Sequence, residues 1–375
     1  MDVIIAPDSF KGSLSSMEAA EAIEKGMKRA HEGLTLTKIP IADGGEGTVD
    51  ALIAILGGRK IEEVVEDPLG RNIQASFGWV PSKKIAVIET AAASGLPLLA
   101  KDELNPYEAS TYGTGQLLKR ALDFGPEQVI IGLGGSATVD AGVGFLQALG
   151  VTFLDEKGYE IRGNGKALGQ ISSIDVSNLD KRLASIQIQI ASDVTNPLLG
   201  RNGAVAVFGP QKGVTNIEEF EKMMEQYASV VVKTIGEDMR SREGSGAAGG
   251  FGFSLQSFLK VEMKRGLSLI ADLGNLENKI KESSLVITGE GKIDVQSLFG
   301  KVPVGIAKVA QSHQVPCVAF SGCVEGESAL FEKEGLSAVY PIANRPMTLE
   351  QSMKQGAYLL EEAAYRFTKS IFLLK

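Results

Sequence analysis

The chain has 375 residues, 44% hydrophobic and 22% charged, with 38 Lys and Arg against 46 Asp and Glu for a net charge of −8. That length exceeds one ordinary core, so two domains are expected, and the composition excludes a disordered tail or a fibre. An acidic balance with no long basic run disfavours nucleic acid or an anionic membrane as partner.

Residues 3–6, Val-Ile-Ile-Ala, predict a short strand ending at Pro7. The run is too short for a signal-peptide core, and no apolar stretch of about 18 residues occurs, so a cytoplasmic protein is expected. After the loop Asp8-Ser9-Phe10-Lys11-Gly12-Ser13, Met17, Ala20, Ile23, Met27 and Ala30 recur at helical spacing behind a capping box of Ser15 and Glu18. The unit repeats: residues 34–42 read as a strand, Asp43-Gly44-Gly45-Glu46 as a loop, and Val49, Leu52, Ile53 and Leu56 as a helix face closed by Gly57-Gly58. Alternating strand and helix implies a parallel sheet.

Residues 61–90 differ, with three short β-rich runs separated by turn signals at 67–70 and 81–84, and predict an antiparallel meander. It opens a second domain with a helix at 115–122, a strand at 128–131, a helix at 141–149, a strand at 185–191 and, after the glycine-rich segment 244–252, further helix. Beyond residue 285 the alternation returns with strands at 285–288, 317–320 and 338–340. A final helix starts at a capping box of Thr348 and Gln351 and runs through Met353, Leu360 and Ile371. The expected architecture is therefore α/β with two domains. Residues 1–66 and 282–375, from both termini, form a parallel-sheet domain, and residues 67–281 form an inserted α/β domain.

His31 and His313 are the only histidines, and both read as helix-end residues. Without H-E-x-x-H or G-x-S-x-G, histidine-based hydrolase and zinc-protease chemistry is disfavoured. Cys317 and Cys323 supply neither a disulfide framework nor a metal spacing. The chemistry falls to carboxylates, lysines, hydroxyls and backbone amides.

Four strand-end loops carry those groups. The first is residues 8–13, where Lys11, Ser9 and Ser13 surround Gly12. The second, Gly132-Leu133-Gly134-Gly135-Ser136-Ala137-Thr138, has three readings: a dinucleotide fingerprint with Asp155 about twenty residues on, a phosphate loop resembling that of the GHMP kinases, or a tight turn into a helix. The third, residues 288–294, flanks Lys292 with Glu290 and Asp294, carboxylates suited to Mg²⁺. The fourth joins Asp193-Val194-Thr195-Asn196-Pro197 to Phe208-Gly209-Pro210-Gln211-Lys212-Gly213. Together they suit a nucleotide and a small acidic substrate.

The loops resemble the signatures of the bacterial type 1 glycerate kinase family. The likeness is carried by residues 8–14, 42–48, Glu89-Thr90-Ala91-Ala92-Ala93-Ser94-Gly95-Leu96, Thr111-Tyr112-Gly113-Thr114-Gly115, 132–138, 193–197, 208–213, 246–250 and 288–294, in order. It departs at Val139, where the family has Asn before the Asp. The resemblance implies a flavodoxin/Rossmann-like domain with an inserted second domain, and ATP- and Mg²⁺-dependent phosphorylation of D-glycerate, usually to 2-phosphoglycerate.

On that footing Asp193 or Asp8 is expected to accept the glycerate hydroxyl proton, with Lys11 and Lys212 on the transferring phosphate. Gly134, Gly135 and Ser136 would cradle phosphate, Glu290 or Asp294 would hold Mg²⁺, and Arg71 would pair with the glycerate carboxylate. Ser9, Ser13 and Asp43 join the substrate- and phosphate-binding set. A small-molecule substrate and a monomer or homodimer are expected. The alternatives are 3-phosphoglycerate as product, an NAD-dependent dehydrogenase using Gly132, Gly134, Ala137 and Asp155, and a non-catalytic sensor of sugar acids.

Overall fold

The computed structural model describes residues 1–42, 44–299 and 301–373. Its strands in chain order are β1 (Asp2–Ile5), β2 (Thr35–Lys38), β3 (Arg59–Glu66), β4 (Asn72–Val80), β5 (Ile85–Glu89), β6 (Gln128–Gly132) and β7 (Thr152–Leu154). They continue with β8 (Ser173–Asp175), β9 (Gln187–Ala191), β10 (Val261–Lys264), β11 (Leu285–Ile293), β12 (Cys317–Val324) and β13 (Ala338–Pro341). The chain divides into two compact units, one of residues 1–43, 50–56 and 267–375, the other of residues 44–49 and 57–266.

The terminal unit is a parallel sheet in the order β13-β12-β11-β1-β2. Ile5, Ile287 and Phe320 from its strands pack with Ile23 and Met27 of the helix Ser16–Ala30 and Leu360 of the helix Gly356–Phe372. The first helix starts where its capping box places it, with the Glu18 N–H on the Ser15 hydroxyl and the Glu18 carboxylate on the Ser15 N–H. Thr348 and Gln351 cap in the same way, yet the expected final helix is two, Leu349–Lys354 and Gly356–Phe372. The Ser13 hydroxyl donates to the Met353 carbonyl at 2.7 Å, and a Cβ on Gly356 would lie 2.3 Å from Ser13 Oγ, so the chain bends around that side chain. Both histidines are helix C-caps.

The inserted unit has a six-stranded sheet, order β10-β9-β6-β5-β4-β3, parallel from β10 to β5 and antiparallel from β5 to β3. The meander expected from the turn signals is the β3–β4–β5 edge. β3 pairs with β4 from Arg59↔Trp79 to Glu66↔Asn72, which places residues 59–66 in this sheet. Residues 267–281 pack with the terminal unit. β7 and β8 form a separate antiparallel pair. The core beneath the large sheet is aromatic, with Phe77, Phe145, Phe153, Tyr227, Phe251 and Phe253 fully buried. Among the described residues, no helix is long and apolar enough to cross a membrane.

Candidate active site

Strand order selects one end of the terminal unit's sheet. From β1 the chain moves to β2 on one side, while from β11 it moves to β12 and β13 on the other. In open parallel sheets, ligands bind beyond the C-terminal ends of such a pair. The segments there are the loop 8–13 and residues 288–294, which are not the expected loop but the last part of β11, paired with β12 as far as Ile293↔Val324, with Asp294 just beyond it. The two are tied together by the Asp8 N–H on the Gly289 carbonyl at 2.8 Å. Asp8 is 7% exposed, and its Oδ1 accepts the Ser9 N–H. Lys11 is exposed, and its charge reaches Glu290. Glu290 is buried, with Oε1 accepting the Ser297 hydroxyl at 2.8 Å. Lys301 Nζ stands 3.8 Å from Glu290 and 3.9 Å from Asp294, and Lys292 Nζ 3.4 Å from Asp294. Burial pushes the Glu290 carboxyl up against the pull of Ser297 and Lys301. Desolvation also lifts Asp294, but Lys301, the Ser297 N–H and Lys292 outweigh it and hold that carboxyl below the ordinary range. Two neighbouring carboxyls are thus driven apart in proton affinity, an arrangement common where charge is handled chemically.

In the inserted unit, Glu89, Gly132, Ala191 and Lys264 pair in one row across β5, β6, β9 and β10, so the loops after them share one edge. Asp193 lies there, exposed, with Oδ1 accepting the Gly266 N–H at 3.2 Å. Loop 132–138 is shaped by close backbone contact. A Cβ on Gly132 would lie 2.6 Å from the Gly44 carbonyl oxygen, and one on Gly134 2.3 Å from Gly45 Cα. These glycines, and the Gly44-Gly45 pair beside them, are small because two backbones touch.

The Gly134 N–H donates to the Gly44 carbonyl at 3.0 Å and so is not open to phosphate. The Gly135 and Ser136 amides have no partner among the described residues, and they are the ones left open to the expected phosphate. The loop does not open a helix directly, because the next one, Val143–Ala148, begins behind Gly142, whose φ is +77°. Positive charge comes instead from Lys212, 3% exposed, whose Nζ donates to Ser136 Oγ at 2.6 Å and the Thr138 carbonyl at 2.9 Å. Burial pushes its ammonium down to about 7, against the opposing field of Asp140.

The other expected residues lie apart. Ser13 is engaged with the Met353 carbonyl. Arg71 spends its guanidinium on Asp67 and Glu103, both at 2.5 Å, in an exposed turn, so a substrate carboxylate would have to displace one of them. Asp43 lies outside the described residues. The sequence placed Lys301 after the Glu290 and Asp294 segment without assigning it to them; missed altogether were Ser297 as their partner and Asp140, whose only signal is a lone carboxylate in the apolar run Val139 to Val143.

The family model described as the glycerate kinase family matches residues 3–372. The chain belongs to that family. Within the glycerate kinase family, it is 46% identical over 377 residues to the glycerate kinase of Bacillus subtilis (strain 168), covering 100% of this chain and 99% of that one. It is 43% identical over 360 residues to the glycerate 2-kinase of Escherichia coli (strain K12), covering 96% and 94%. A crystal structure from Salmonella typhimurium LT2, provisionally named glycerate kinase 2, superposes with a TM-score of 0.88 at 40% identity, covering 100% of this chain and 98% of that one. A member of the glycerate kinase family is a phosphotransferase, and a kinase implies ATP as donor. The dehydrogenase alternative has no support. Asp155 follows β7, outside the large sheet, and its Oδ1 is used by the Lys157 and Tyr159 amides of a turn.

Proposed function

We propose that the chain transfers the γ-phosphoryl group of ATP to the 2-hydroxyl of D-glycerate, forming 2-phosphoglycerate. The observation that carries this reading is the similarity, along nearly the whole chain, to the Escherichia coli protein named glycerate 2-kinase. Asp193 takes the hydroxyl proton as the transfer proceeds. Lys11 of the terminal unit, and separately the Gly135 and Ser136 amides of the inserted unit, are each offered to phosphate oxygens, work that consists mainly of positioning and electrostatics. A cytoplasmic reaction is in keeping with ATP as donor.

The residues present fit Mg²⁺. Among the described residues, no group of three or more His, Cys, Asp and Glu could hold a metal alone. Glu290 and Asp294, however, already stand within 4 Å of one shared cation, Lys301. Mg²⁺ commonly takes one or two carboxylates and completes its shell with phosphate oxygens and water. Bound there, it would supply positive charge for the ATP phosphates. Excess chelator is therefore expected to stop D-glycerate-dependent ATP consumption, with the circular dichroism spectrum unchanged and activity restored by added Mg²⁺. Undiminished consumption in chelator would contradict the Mg²⁺ assignment, and ATP consumption indifferent to D-glycerate would contradict the substrate.

A further inference from the structure

Behind loop 132–138, Asp140 is fully buried and faces only donors. The Thr111 N–H and hydroxyl donate to Oδ2 at 2.8 and 2.7 Å, the Gly144 N–H to Oδ2 at 3.3 Å and the Gly142 N–H to Oδ1 at 3.2 Å. Burial pushes the Asp140 carboxyl up, and the Thr111, Gly142 and Gly144 donors pull against it. With four donors around it, a protonated carboxyl would turn its O–H against an N–H or a hydroxyl, so the geometry favours the charged form. The charged and titratable groups its field reaches are Lys212 and Tyr227, the latter paired through its hydroxyl with Ser254. The backbone on either side is held in an unfavourable shape. Ala141 and Ala248 are non-glycine residues with φ of +49° and +51°, and the Ala141 N–H donates to the Gly249 carbonyl at 3.1 Å. Such conformations persist only where the surroundings over-determine them.

We propose that Asp140 is a positioning residue of the phosphoryl-transfer site: its buried charge balances the Lys212 ammonium, which in turn fastens Ser136 and Thr138 and backs the anion-holding loop with positive charge. The inference rests on reading loop 132–138 as that loop. Lys212 reaches the Ser136 hydroxyl and the Thr138 carbonyl directly, and Asp140 reaches it through space from beneath the same loop. Neither group has to touch substrate to act.

The sign of the pH effect follows. Lys212 carries its charge below its pKa and loses it as pH rises, so kcat/KM for ATP should fall on the alkaline side. Asp140 is the one charged group among the described residues that opposes the lysine's desolvation. Asp140→Asn, nearly the same shape without the charge, should move that alkaline limb about one pH unit toward acid. Its loss of kcat/KM for ATP should be small at pH 6 and about tenfold at pH 8. A merely structural role would scale the profile equally at every pH, and that result would overturn the proposal. Lys212→Met separates the two readings. If KM for ATP is unchanged in it at all pH values, loop 132–138 does not hold the anion and the underlying reading fails. If KM rises there while Asp140→Asn only scales the profile, the reading stands and the Asp140 proposal fails. Should Asp140→Asn not fold, urea unfolding of the Asp140→Asn/Lys212→Met double variant decides. The proposal expects it to be more stable than Lys212→Met alone, because both buried charges are then removed together. A further loss of stability would overturn it.

Discussion

Replacing Asp193 by Asn is expected to lower kcat with D-glycerate by about 10²–10⁴-fold, the usual contribution of a positioned general base. The fold should survive. Asp193 is exposed at the C-terminal end of β9, and its Oδ1 accepts the Gly266 N–H, a bond that the Asn side-chain oxygen can keep. What the substitution removes is the basic oxygen that takes the hydroxyl proton. A loss made only in the transition state lowers kcat and kcat/KM together and leaves KM for both substrates near its starting value. Steady-state kinetics with a matched unfolding curve check this. Near-normal turnover would shift the base to Asp8, at the end of β1.

Gly134→Ala is expected to destabilise the protein by about 1–3 kcal/mol, the usual cost of overpacking, and to weaken ATP use severely. The added Cβ would sit 2.3 Å from Gly45 Cα and 2.9 Å from Gly45 N. Those atoms are backbone and cannot rotate aside, so loop 132–138 or segment 44–49 must move. Moving the former also breaks the Gly134 N–H bond to the Gly44 carbonyl and displaces Ser136 from Lys212. Urea unfolding and KM for ATP read the two consequences separately. Unchanged values in both would mean that the glycine is not there for close approach.

Much of the architecture was legible because local pattern and tertiary structure agree. Strand, loop and capped helix repeat along the terminal unit, and the turn signals at 67–70 and 81–84 correctly separate β3, β4 and β5. Strand order was not legible, since pairing of β1 with β11 joins residues some 280 apart, and that pairing is what singles out loop 8–13 and the end of β11 at residues 288–294. The glycines show a second limit. Composition does not distinguish a glycine that leaves an amide open to phosphate from one that lets two backbones touch, and Gly132 and Gly134 are of the second kind. Lys212 read as a loop lysine on phosphate, whereas its ammonium is buried beneath Ser136. Burial of a long cation depends on what lies above it, here a loop more than 70 residues away in the chain. Asp140 was overlooked for the same reason, because its partner Thr111 comes from a separate motif.

The position of the new phosphate tests the central claim most directly. The chain is incubated with ATP, Mg²⁺ and D-glycerate, and the product is passed to enolase, pyruvate kinase and lactate dehydrogenase with and without phosphoglycerate mutase. Immediate NADH oxidation without the mutase is the expected result, because enolase accepts 2-phosphoglycerate directly. Oxidation that appears only when the mutase is added would identify 3-phosphoglycerate and contradict transfer to the 2-hydroxyl.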